Sequence, residues 1–280
     1  MNRRKGFLSL PMALWAFLFV GVALIYIIAM SLLKSEGAFS AGGELTLSNY
    51  ARLADPKYLR VMLGSLRLAL LTTALCLLIG YPFAYFMARS SKRARTWLLI
   101  LVIAPFWTNA LIRMYGWKII LGANGPMNQA LKALGLIDKP LKLLYTETAV
   151  LIGMVYGMIP FVILPVYSGL ERMDFTIVEA SRDLGATPFK AFWTTTFRMT
   201  LPSALAGCVL TFLPSVGLFF ISDLLGGANT VLWGNLVHDE LLKSRDLPFA
   251  AALSVVLLML TLLVVFVYRR AGGSNEEMVF

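Results

Sequence analysis

The sequence predicts an all-α integral membrane protein with six transmembrane helices. Hydrophobic residues make up 59% of the 280 and charged residues only 14%, against about 25% charged in soluble domains. The apolar residues also gather into six stretches near the roughly 20-residue length that crosses a bilayer. Each stretch reads as a helix, because a lone span in lipid has no other way to satisfy its backbone.

The spans are expected at Leu10–Leu33, Leu63–Met87, Leu98–Leu121, Ala149–Leu170, Ala204–Leu225 and Phe249–Tyr268, within a single domain covering 1–280. The first follows Arg3-Arg4-Lys5 and precedes Ala38-Phe39-Ser40-Ala41, the outline of a signal peptide. Its apolar run is too long for the usual 7–15-residue core, so a retained helix is expected. In the second, third, fourth and fifth, Pro82, Pro105, Pro160, Pro165 and Pro214 each remove a backbone donor and favour a kink. The fourth carries Gly153-Met154-Val155-Tyr156-Gly157, a spacing that permits close helix contact. Between spans, Leu45–Pro56 and Met127–Leu136 read as small folded segments.

The net charge of +10 does not point to nucleic acid, since the basic residues sit at span ends rather than on one polar face. One side carries Arg3, Arg4, Lys5, Arg89, Lys92, Arg93, Arg95, Arg172, Arg182, Lys190, Arg198, Arg269 and Arg270. The other carries Lys34, Arg52, Lys57, Arg60, Lys132, Lys139, Lys142, Lys243 and Arg245. The denser side is expected to be cytoplasmic, together with both termini. Arg67, Arg113 and Lys118 lie near outer helix ends, where they are expected to snorkel to the interface.

A single histidine and two cysteines, Cys76 and Cys208, argue against a metal centre, and none is expected. No phosphate-cradling glycine loop or nucleophile elbow is present. The chain therefore reads as a non-enzyme without a cofactor.

The polar connection over 171–203 is unusual in so apolar a protein. Thr176-Ile177-Val178-Glu179 fits a capping box that opens a short helix. Gly185 can close that helix in the left-handed conformation. Thr187-Pro188 starts another, with Pro188 at its first position. The short helix bears Glu179, Arg182 and Asp183 beside small Ala180 and Ser181, a mixed surface suited to docking into a protein groove.

Glu179-Ala180, Gly185 and Leu201-Pro202 resemble the EAA loop of permease subunits in binding-protein-dependent ABC importers. Ser181 stands where the family usually has alanine. The resemblance implies the type I ABC importer permease fold, in which this loop is a cytoplasmic coupling helix. Glu179, Ala180, Ser181, Asp183 and Gly185 are then expected to meet the ATPase. Gly80–Tyr85, Ala104–Asn109, Leu111-Ile112-Arg113, Ser222–Gly227 and Asn235–Phe249 are similar to the spermidine/putrescine branch of the family. The implied partners are a cytoplasmic ATPase dimer that hydrolyses ATP, a second homologous permease, a periplasmic polyamine-binding protein and the bilayer of a bacterial inner membrane. The alternatives are a permease for another small organic solute or a stand-alone secondary transporter. A polyamine needs carboxylates or aromatic faces along its route. Asp223, Trp107, Asn109 and Tyr115 are the candidates, with Asp223 alternatively pairing with Arg113 or Lys118.

Overall fold

The computed structural model describes residues 11–12, 14–15 and 17–270. The Arg3-Arg4-Lys5 cluster and the start of the first expected span lie outside them. The chain divides into two compact units. One runs to Arg60 and includes Leu236–Leu260; the other holds Val61–Asn235 and the chain from Thr261.

The helices in chain order are α1 (Phe17–Ser31), α2 (Ser48–Leu53), α3 (Pro56–Arg89), α4 (Lys92–Trp107), α5 (Ala110–Leu121), α6 (Pro126–Ala133), α7 (Glu147–Arg172), α8 (Thr176–Asp183), α9 (Pro188–Gly217), α10 (Trp233–Leu242) and α11 (Leu247–Arg270). Among the described residues, α3, α7, α9 and α11 are long and apolar enough to cross a membrane. The expected third span is instead broken. Helix α4 and the stretch Ala110–Ala133 meet at 95°. Pro105 sits in the tight last turn of α4, Thr108 is extended, and the Asn109 side chain caps α5 by accepting the Leu111 N–H at 2.8 Å.

The expected fifth span is displaced toward the N-terminus. Helix α9 is continuous from Pro188 and leaves helical geometry at Leu218 (φ −73°, ψ 79°). Leu201-Pro202 therefore lies inside a helix rather than ahead of one. The polar connection shrinks to 173–187.

In the first unit an antiparallel hairpin, β1 (Leu33–Gly37) with β2 (Ser40–Leu45), departs from the all-α expectation. Gly37 (φ 138°) and Phe39 (φ 55°) bend its turn. Asn49, 2% exposed, ties the hairpin base to α1 by donating to the carbonyls of Ser31 and Leu33. Arg52 pairs with Asp246 at 2.7 Å and lies over the Phe249 ring.

In the second unit α7 packs against α9. Gly207 makes this possible: a Cβ there would lie 3.1 Å from Val162 Cα. Cys76, Ala84, Met87, Val162, Val166, Leu170 and Ala204 are buried together at this centre. Gly153 is also a packing residue within the chain, since a Cβ there would lie 3.0 Å from Ile221 Cγ2.

Candidate functional site

Two regions gather the residues singled out by the sequence, one around α8 and one beyond the end of α9. The first is built on local backbone chemistry. Helix α8 closes with two bonds, Gly185 N–H to Arg182 O at 2.9 Å and Ala186 N–H to Ser181 O at 3.2 Å. Gly185, at φ 88°, supplies the left-handed residue this closure needs. Thr187 Oγ1 then accepts the Lys190 N–H, and Pro188 opens α9.

The expected capping box is not formed. Glu179 N–H bonds the Phe175 carbonyl at 3.2 Å, and no side chain caps the helix from Phe175. Asp174 takes the role instead, two residues before the Thr176 of the expected box. Its Oδ1 accepts the Thr176 N–H at 3.0 Å. This bond and the Thr176 side chain hold the Asp174 carboxyl below its ordinary range.

Val178 anchors α8. It is buried, in a cluster that includes Met173 and Ala191, with Phe175, Ala186 and Phe192 packed against it. The opposite face stays open: Glu179, Ala180 and Asp183 are exposed, and Ser181 is half-buried. Leu184 is 91% exposed and Phe189 74%. With Ile177, Ala180, Ser181 and Lys190, Leu184 borders a shallow open groove. Apolar knobs within a charged surface are what a docking partner buries.

An aromatic knot joins this surface to the bundle. Phe192, near the start of α9, meets Tyr81 and Tyr85 of α3 edge-on, with centroids 5.7 and 5.9 Å apart. Tyr85 also meets Phe175, and the Tyr81 hydroxyl lies 2.7 Å from Thr200 Oγ1. No motif in the sequence marks these aromatics as one cluster. The signal available was their spacing, since Tyr81 and Tyr85 lie four apart on one face of α3.

The second region starts where α9 stops. After Leu218 the chain makes a short helical turn, Phe219–Ile221, then a wide turn, Ser222–Gly226, and folds back at Gly227 (φ 56°). Asp223 lies in the wide turn and is exposed, not enclosed in a continuous span. Asn235, 4% exposed at the start of α10, organises the fold-back. It donates to Asp223 Oδ1 at 2.6 Å and to the Phe219 carbonyl at 3.2 Å, and accepts the Leu232 N–H at 2.8 Å.

Neither Arg113 nor Lys118 pairs with Asp223. The Arg113 guanidinium lies 4.5 Å from the Phe106 centroid and 5.9 Å from that of Tyr156, with Nε and Nη1 buried and, among the described residues, without hydrogen-bond partners. Lys118 Nζ faces the rings of Tyr115 and Tyr145. Arg67 forms an ion pair with Glu147. Trp107 is 79% exposed and Tyr115 53%. Asn109 is committed to capping α5. No hydrogen bond joins any of these three to Asp223.

Residues 80–271 match the family described as binding-protein-dependent transport system inner membrane component. The chain is 45% identical to the spermidine/putrescine transport system permease protein PotB of Escherichia coli K12, over 95% of this chain and 96% of that protein. It is 44% identical to the PotB of Haemophilus influenzae, over 92% and 90%. Among solved structures it is similar to a bacterial ABC transporter that imports alginate, with a TM-score of 0.72 at 17% identity over 94% of each chain. A methionine ABC transporter, MetNI, matches with a TM-score of 0.57 at 18% identity, over 76% of this chain and 93% of that one.

Proposed function

The chain belongs to the family of inner membrane components of binding-protein-dependent transport systems, and from that premise we propose that it is the permease subunit through which an ATP-driven importer moves spermidine or putrescine. It is a multi-pass membrane component and not itself an enzyme. ATP hydrolysis belongs to a separate subunit.

The observation that carries the polyamine reading is the 45% identity to PotB along nearly the whole of both chains. The fold likeness to the alginate importer supports the importer architecture only. In this reading α8 is the coupling helix. It docks on a cytoplasmic ATPase dimer through Glu179, Ala180, Ser181, Asp183 and the exposed Leu184, with Gly185 fixing its end. The loop and both termini are cytoplasmic. A periplasmic polyamine-binding protein delivers substrate at the opposite face, and a second homologous permease completes the path.

The chemistry of the fold-back suits a cation. Asp223 is an exposed carboxylate whose hydrogen-bonding partner among the described residues is a neutral amide, so its charge stays available to an ammonium group. The exposed rings of Trp107 and Tyr115 offer cation–π faces. Sparse charge along the route favours release over tight holding. Asn109 contributes by shaping the bend beside Trp107.

The test is uptake of labelled spermidine and putrescine. The chain is expressed with its companion subunits in cells that lack their own polyamine permease. ATP-dependent uptake of either polyamine is the expected result. An assembled complex that takes up neither overturns the polyamine assignment and leaves the family assignment standing.

A further inference from the structure

Along α9, Leu205 and Phe212 recur on one helix face and help wall an open apolar groove. Val264, Val267 and Tyr268 of α11 form part of the groove, and Leu70 of α3 contributes to it. Its volume is about 360 Å³, and it presents almost no polar atom. An extended peptide cannot fill such a site in lipid, because its backbone would lack hydrogen-bond partners. A hydrocarbon chain carries no such demand and recovers the dispersion contacts an unfilled groove forfeits.

One end of the groove is basic. Tyr268, 4% exposed, is buried in a cluster with Ala206 and Val209, which sets the end of α11 beside this part of α9. Arg269 and Arg270 follow at once, and both are exposed. Arg198, also exposed, lies seven residues before Leu205, on the same helix face and about 10 Å along the axis. Arg270 lies seven residues beyond Leu263 on the groove side of α11, with its guanidinium 5.0 Å from the Phe266 centroid, whereas Arg269 falls on the opposite face. Two guanidinium groups, those of Arg198 and Arg270, thus lie toward the end of a groove shaped for an acyl chain. Guanidinium groups bind phosphate through paired donors.

We propose that this groove is a specific site for an anionic phospholipid, with one acyl chain between α9 and α11 and the phosphate held between Arg198 and Arg270. The inference needs only a membrane location and is independent of the transported solute.

Native mass spectrometry of the full-length chain in its transporter complex tests it, with phosphatidylglycerol or phosphatidylcholine added. The wild type is expected to retain phosphatidylglycerol about tenfold or more tightly than phosphatidylcholine. Changing Arg198 and Arg270 together to Gln should remove that preference, whereas Arg269→Gln, on the opposite face of α11, should keep it. Leu263→Trp, at a groove residue 59% exposed and so outside the core, should displace the bound lipid of either kind. Equal retention of the two lipids by the wild type overturns the proposal, as does full phosphatidylglycerol retention in both the double Gln variant and Leu263→Trp. Cross-linking from Leu263→Cys to a second protein chain would identify a helix as the occupant and also overturn it.

Discussion

Asn235 Nδ2 donates to Asp223 Oδ1 at 2.6 Å, across a fold-back of 12 residues. The bond orients the carboxylate without neutralising it. An arginine or lysine in the same place would cancel the charge that a polycation needs, whereas an amide leaves it intact.

The two residues therefore separate in their mutants. Asp223→Asn should lower polyamine uptake per assembled complex at least tenfold while complex yield stays near wild type. Asn235→Ala should act on stability first. It leaves the Leu232 N–H without the side-chain oxygen that accepts it, at a cost of about 1–3 kcal/mol, read as a lower Tm of the complex. Normal uptake per complex by Asp223→Asn would remove the substrate role.

Gly185 has open space around its Cα; a Cβ added there would meet no atom within 4 Å. Any penalty there comes from the backbone at φ 88° alone. Gly185→Val should cost about 1–2 kcal/mol or more locally and weaken ATPase association. Gly185→Asn should be far milder, because asparagine tolerates this conformation. Equal ATPase binding by the Val and Asn variants would show that the turn does not set the docking geometry.

The start of α8 makes a contrasting pair. Glu179→Ala removes no cap, so α8 should persist, and any lost coupling would report a contact with the ATPase. Asp174→Ala removes the accepting carboxylate and should fray the helix. Because the Asp174 pKa is depressed on folding, its contribution is complete above the ordinary Asp pKa near 4 and fades as pH falls through the lower folded value. Helix fraying probed by proteolysis at 173–187 should thus rise only under acid conditions in the wild type, and at neutral pH in Asp174→Ala.

Phe192 links α9 to two tyrosines of α3. Phe192→Ala should cost about 2–4 kcal/mol through lost packing. In complexes that still assemble, ATP hydrolysis should no longer respond to the loaded binding protein. Phe192→Leu, which restores apolar volume, should recover stability more than coupling. Unchanged stimulation in the Ala variant would exclude the knot from the transmission route.

Topology reporters provide a further check. Fusions at Leu134 and Asp239 should read external and one at Arg182 internal. An external Arg182 is incompatible with docking of α8 on a cytoplasmic ATPase.

Local signals in the sequence were the legible ones. Gly185 and Thr187-Pro188 act within one or two turns, so their residue types alone forecast the end of α8 and the start of α9. The helical spans α3, α7 and α11 were equally clear, because lipid imposes both their length and their composition. What the sequence concealed depends on distant partners. Hydropathy runs unbroken through Leu218, and only the return of Asn235 and the close approach of Gly234 to the Gly217 carbonyl reveal that α9 has ended. The break at Thr108 is similar, hidden because Trp107 and Leu111 are as apolar as the residues of a straight helix. The capping box failed by competition: Asp174 reaches the Thr176 N–H first.

Helix α9 has a mechanical consequence. Its 30 residues form a rod about 45 Å long, with its foot at the exposed Phe189 and its tip just before the turn that carries Asp223. A rod converts a small angular push into an arc that grows with distance from the pivot. Tilting about Phe192 by roughly 5° would carry the tip through about 3 Å, by the same 1.5 Å rise per residue. That stroke is comparable to one hydrogen-bond length, enough to separate a carboxylate from an ammonium group.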